Sequence, residues 1–122
     1  MLELSSLPKT WILDIDGTIV KHNGYKLDGY DTLLDGVKEF YSKISLEDKI
    51  VLMTAREGKY LEDLKLFLKL NNLRYDYLLT DMPMGERVLV NDKKPSGMEC
   101  AYAINKVRDE NFILDYQIND EK

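Results

Sequence analysis

Trp11-Ile12-Leu13-Asp14-Ile15-Asp16-Gly17-Thr18 is the stretch on which the reading of this chain turns. Its apolar run, continued by Ile15 and then by Ile19 and Val20, shows no polar alternation, the pattern of a short strand buried on both faces. Two carboxylates two residues apart at the end of such a strand are costly to bury without compensation. A cation supplies it, and carboxylate and carbonyl oxygens suit Mg²⁺. Gly17 lets the chain turn sharply after the strand. The bland alternative is an ordinary Asp-Gly turn closing a strand end.

Working outward, the same alternation of apolar runs recurs. Ile50-Val51-Leu52-Met53 reads as a second buried strand ending at Thr54-Ala55-Arg56, and Tyr75 to Leu79 as a third. Arg87-Val88-Leu89-Val90 reads as a fourth, ending at Asn91-Asp92, and Phe112-Ile113-Leu114 as a fifth on an edge. Between them, Leu33, Leu34, Val37, Phe40, Tyr41 and Ile44 fall at helical spacing behind an N-cap at Asp31 or Thr32. Lys59 to Leu70 carries a stripe of Leu61, Leu64, Phe67 and Leu68, widened by Leu66 and Leu70 and stopped by Asn71 and Asn72. Ser96 and Glu99 have capping-box spacing for a last helix. Residues 21–31 read as a loop or flap, residues 1–10 as a lead-in, and the polar tail 116–122 as frayed. Strands alternating with helices predict an α/β fold: one domain over 1–122, core 10–115, a three-layer sandwich with a parallel sheet of about five strands.

Three of these strands end in polar chemistry: Asp14 and Asp16, Thr54 and Arg56, Asn91 and Asp92. In a parallel sheet those ends share one edge, where such folds hold their ligands. Arg56 reads equally as a clamp for phosphate or carboxylate and as a structural ion-pair residue. Thr54 reads as the cap of the following helix, whose N-terminus would itself suit an anion. His22, the single histidine, reads as exposed or as a substrate contact, and Tyr25 and Tyr30 as candidates for substrate packing.

Asp14 to Thr18 spells D-x-D-G-T, and here the chain resembles the haloacid dehalogenase (HAD) superfamily of phosphohydrolases, over about residues 10–115. The resemblance implies a Rossmann-like strand order with the first strand central. It implies Asp14 as the nucleophile that forms an aspartyl-phosphate and Asp16 as general acid and base. Mg²⁺ would be held by the Asp14 carboxylate, the Asp16 backbone carbonyl and Asp92, with Asn91 where the family often has a second acid. Thr54 matches the second motif, a Thr or Ser that hydrogen-bonds a phosphoryl oxygen, so the resemblance implies that Thr54 binds phosphate. The lysine of the third motif has no counterpart before Asn91; Arg87 stands in its place, with Lys93 behind it. The stretch from Thr18 to Ile50 leaves no room for an inserted cap domain, so the site is expected to be open, covered by a large substrate or by a second copy of the chain. Val88 to Pro95 is similar to small members associated with sugar phosphates.

Composition narrows the field. The 122 residues suffice for one core, and a 44% apolar content excludes a disordered chain. A net charge of −5, from 17 basic and 22 acidic residues, argues against nucleic acid or an anionic membrane as partner. A single cysteine, Cys100, excludes an internal disulfide. No apolar segment approaches the ~18 residues a membrane span needs, and a cytoplasmic protein is the expectation. The function expected is a Mg²⁺-dependent phosphohydrolase of a small phosphorylated metabolite, a sugar phosphate, by way of an aspartyl-phosphate. The alternatives are a weakly active or inactive binding module of the same fold and a phosphotransferase.

Overall fold

The computed structural model describes all residues, 1–122, as a mixed α/β chain with parallel strands in two small sheets. The larger sheet holds β2 (Thr10–Asp14), β3 (Lys49–Met53) and β4 (Tyr77–Leu79), all parallel and in that order. The smaller pairs β1 (Leu2–Leu4) with β5 (Tyr116–Ile118), also parallel. The helices are α1 (Gly24–Leu27), α2 (Val37–Ser42) and α3 (Leu61–Leu70), the last led in by a 3₁₀ turn at Gly58–Tyr60.

Register explains which residues go inside. Trp11 stands opposite Ile50, Leu13 opposite Leu52, and Leu52 opposite Leu78, so these share one face. That face belongs to the cluster completed by Val37 and Phe40 of α2 and Leu64 and Leu68 of α3. A sheet that grows in one direction with right-handed crossovers puts both helices on the same side. The opposite face stays open: Ile12 is 50% exposed, Tyr77 61% and Leu79 38%. The expected strands are therefore buried on one face, not two.

α3 ends as its asparagines predict. Asn72 takes a left-handed conformation (φ 56°), its N–H reaches the Lys69 carbonyl at 3.1 Å, and the Leu73 N–H reaches Leu68 at 2.9 Å. Those two bonds make a Schellman closure, with Leu68 and Leu73 buried beside each other in the core. Leu66 and Leu70, assigned to the apolar stripe, point out at 55% and 72% exposure. The helix expected from Asp31 is shorter. Thr32–Leu34 instead run extended beside Ile19–Lys21, with Lys21 N–H on the Thr32 carbonyl (2.9 Å) and Leu34 N–H on that of Ile19 (2.9 Å). Gly36 (φ 92°) then turns the chain into α2.

The last third differs most from expectation. Between Leu79 and Tyr116 the chain makes no helix and no strand. Val88 and Val90 of the expected fourth strand are 84% and 89% exposed. At the expected capping box a tight turn forms instead: Gly97 (φ 92°) donates to the Lys94 carbonyl at 2.8 Å. Of the expected edge strand, Phe112 is buried and Leu114 packs partly against the core, but no strand forms. The Phe112 N–H bonds the Asp35 carbonyl at 2.7 Å and its ring lies 4.6 Å from Phe40, while Ile113 is exposed. The tail and the lead-in, both expected to be irregular, pair with each other as β5 and β1. No helix is long and apolar enough to cross a membrane.

Candidate functional site

The first turn after β2 sets the site. Ile15 continues the sheet by donating to the Met53 carbonyl at 3.1 Å, and its own carbonyl then accepts N–H groups from Thr18, Ile19 and Val20. Three donors on one acceptor wind the chain into a single tight coil. Gly17 (φ 83°) makes that coil possible, because a side chain is strained there. The coil leaves Asp14 and Asp16 at the carboxyl end of the strand, in two different surroundings.

Asp14 is the open one, with a side chain 35% exposed. Its Oδ2 accepts from the Thr18 hydroxyl at 3.0 Å, and its Oδ1 from Arg87 Nη1 at 2.8 Å. Asp16 is enclosed. Its Oδ1 accepts from Arg56 Nε (3.0 Å) and Nη2 (2.7 Å), and its Oδ2 from the Thr54 hydroxyl at 2.8 Å. Asp31 takes the other side of the same guanidinium, at 2.9 Å from Nη1 and 2.6 Å from Nη2. The Tyr25 ring caps Arg56 at 3.8 Å, and Tyr60 meets Tyr25 edge-on at 5.0 Å. The Arg56 side chain is only 3% exposed. Burial works against its charge, yet the hydrogen bonds it donates to Asp31 and Asp16 outweigh burial and hold its pKa above the ordinary arginine value. Of the two readings of Arg56, the structure shows the ion-pair residue.

Thr54, at the end of β3, is fully buried. Its hydroxyl donates to Asp16 and accepts the Arg56 N–H at 3.0 Å. It caps no helix, since the next begins several residues later. Thr54 therefore orients Asp16 and the loop after β3 together.

The remaining predicted residues come from residues 83–115. Arg87 reaches Asp14. Asn91 lines the same cleft, but its amide donates to the Asp92 carbonyl at 3.3 Å. Asp92 is exposed and does not line the cleft, and Lys93 pairs with Glu99 at 3.4 Å. The structure thus joins Asp14 to Arg87 and Asp16 to Thr54 and Arg56, and leaves Asp92 and Lys93 apart from both groups. No three acidic, histidine or cysteine side chains gather as a metal site. The oxygens of Asp14 and Asp16 suit Mg²⁺ by type, but they are taken up by cations and hydroxyls.

Asp14 faces a cleft of about 1360 Å³, larger than the ~300–1,000 Å³ of a closed small-molecule pocket. All five residues of β2 line it, because this strand has a partner on one edge only. Two members of the site escaped the sequence reading in their roles. Asp31 was assigned to a helix cap, and Tyr25 was noted only as an aromatic near the substrate. No family model, no curated protein and no solved structure matches this chain.

Proposed function

We propose that this protein is a phosphohydrolase of a small phosphorylated metabolite, of the HAD type, with Asp14 as nucleophile. The observation that carries the reading is the Asp14 carboxylate itself: open to a cleft at the carboxyl end of a parallel strand, between a hydroxyl and a guanidinium. An Asp14 oxygen attacks phosphorus, the P–O bond to the leaving group breaks, and an aspartyl-phosphate results. Arg87 swings from the carboxylate to the phosphoryl oxygens as charge builds there. Asp16, released from Arg56 and protonated from solvent, gives its proton to the departing oxygen; it then takes one from a water that attacks the phosphorus of the aspartyl-phosphate, so that the P–O bond to Asp14 breaks and phosphate leaves. Mg²⁺ belongs to this reading as the cation expected at Asp14, the Asp16 carbonyl and Asp92. So does the finer fold, a three-layer parallel sandwich of about five strands. The unpaired edge of β2 and the open sheet face support it, since residues 87–90 laid beside β2 would carry Asn91 and Asp92 toward Asp14.

The test is phosphate release from p-nitrophenyl phosphate and a panel of sugar phosphates, with and without Mg²⁺. Turnover that disappears in a folded Asp14→Asn protein supports the reading; turnover that survives the substitution overturns it. One observation favours a second reading, a phosphate-binding module without catalysis: Asp16 is held on both oxygens by Arg56 and Thr54. Binding without release on any substrate would select it. Turnover that depends on an added acceptor would select a phosphotransferase.

A further inference from the structure

Beside the Gly17 coil lie three groups that the proposed chemistry does not use. Lys106, Arg108 and His22 all line the cleft that Asp14 faces. Lys106 Nζ donates to the Gly17 carbonyl at 3.3 Å and to that of Val107 at 3.1 Å. Arg108 Cγ stands 3.1 Å, and His22 Cβ 3.7 Å, from the point where a Cβ on Gly17 would sit. The Lys106 ammonium meets only those two carbonyls, and the Arg108 guanidinium has no ion pair and no hydrogen bond. His22 Nδ1 is buried with no partner. The adjacent acid, Asp109, accepts the His22 backbone N–H at 2.7 Å and does not line the cleft.

Two unpaired cations and an unpartnered imidazole nitrogen in one place are out of character for a chain of net charge −5. They are not needed to offset the acids of the coil, since Asp14 already has Arg87 and Asp16 already has Arg56. We propose that Lys106, Arg108 and His22 form a second anion subsite. It receives a further phosphate or carboxylate on the substrate whose phosphoryl group lies at Asp14. The substrate class becomes a doubly anionic metabolite, a bisphosphate or a phosphorylated acid, in place of a neutral sugar bearing one phosphate. This assignment rests on the phosphohydrolase reading for the position of the first phosphate. Charge-assisted bonds from a guanidinium and an ammonium supply the discrimination.

Calorimetric titration of the full chain carrying Asp14→Asn, with Mg²⁺, tests it without requiring turnover. The probes are fructose bisphosphate and fructose monophosphate. The bisphosphate is expected to bind roughly tenfold or more tightly, and Arg108→Ala is expected to remove most of that preference. Arg108→Lys should restore part of it. Equal affinity for the two probes, or a preference that survives Arg108→Ala, overturns the subsite. Lys106→Gln gives a second reading where circular dichroism shows it folded; Arg108, which donates no hydrogen bond in the structure, decides the matter if it does not. A bisphosphate preference in a chain with no phosphatase activity would sustain the subsite and sink the phosphohydrolase reading, so the two failures are distinct.

Discussion

Asp14 and Asp16 sit two residues apart on one coil, yet the two sides of that coil are built differently. The Asp16 side is closed: a 3% exposed guanidinium shared with a 6% exposed Asp31, roofed by Tyr25 and braced by buried Thr54. The Asp14 side is open: its partner Arg87 is 38% exposed and comes from a segment with no helix or strand. The difference follows from where each cation originates. Arg56 is delivered by the loop directly after β3, which the sheet fixes, whereas Arg87 arrives from the part of the chain that leaves the sheet. One pair is locked beside the sheet, and the other stands half-exposed at the cleft.

The strongest way to break this contrast is to remove Arg56. Arg56→Met strands two enclosed carboxylates, and we expect a loss of ~3–5 kcal/mol in urea unfolding. A loss under ~1 kcal/mol would mean that the Asp16 side is as loosely held as the Asp14 side. Gly36→Ala probes the point where Phe112 pins the last third to the core. The φ of 92° at Gly36 disfavours a side chain, and an added Cβ would collide with the Phe112 carbonyl. The backbone strain alone costs ~1–3 kcal/mol, and displacement of Phe112 from Phe40 should be visible as lost near-ultraviolet dichroism.

Smaller effects sharpen the comparison. Arg87→Ala removes a half-exposed pair and should cost within ~1 kcal/mol of stability by the same denaturation assay, while sharply reducing turnover. Tyr41 tests the core away from the site. Its hydroxyl is buried without a partner, and burial pushes the phenol up to about 12, with the Arg74 charge pulling the other way. The folded chain thus holds this proton more tightly than the unfolded chain, whose phenol titrates near 10.0. The resulting stability is complete below pH 10.0 and is lost as pH rises from there through about 12. Tyr41→Phe should remove that alkaline slope in a pH series of thermal melts, and leave neutral-pH stability unchanged or up to ~1 kcal/mol higher.

What the sequence disclosed divides along the same line. β2, β3 and α3 were legible because their apolar residues bury against near neighbours, and α3 carried its own stop at Asn72. Leu33 and Leu34 misled because an apolar pair at helical spacing also suits an extended segment, and the backbone of Ile19 and Lys21 claimed it. The stretch 87–90 has every local mark of a strand, but a strand exists only where an edge receives it, and spacing does not report that. The Arg56–Asp31 pair joins positions 25 residues apart and leaves no local periodicity. Its only trace was an arginine at a strand end, one of whose two readings was a structural ion pair. Asp14 and Asp16 were visible as a pair; that one opens on the cleft and the other is enclosed came only from the third dimension.

The most direct measurement is to incubate the chain with acetyl phosphate and Mg²⁺, quench in acid, and locate any acyl-phosphate by peptide mass spectrometry. Phosphate on Asp14 alone, absent from the Asp14→Asn protein, is the predicted result. Phosphate on Asp16 or on another residue, or none under conditions in which the chain releases phosphate, would contradict the account.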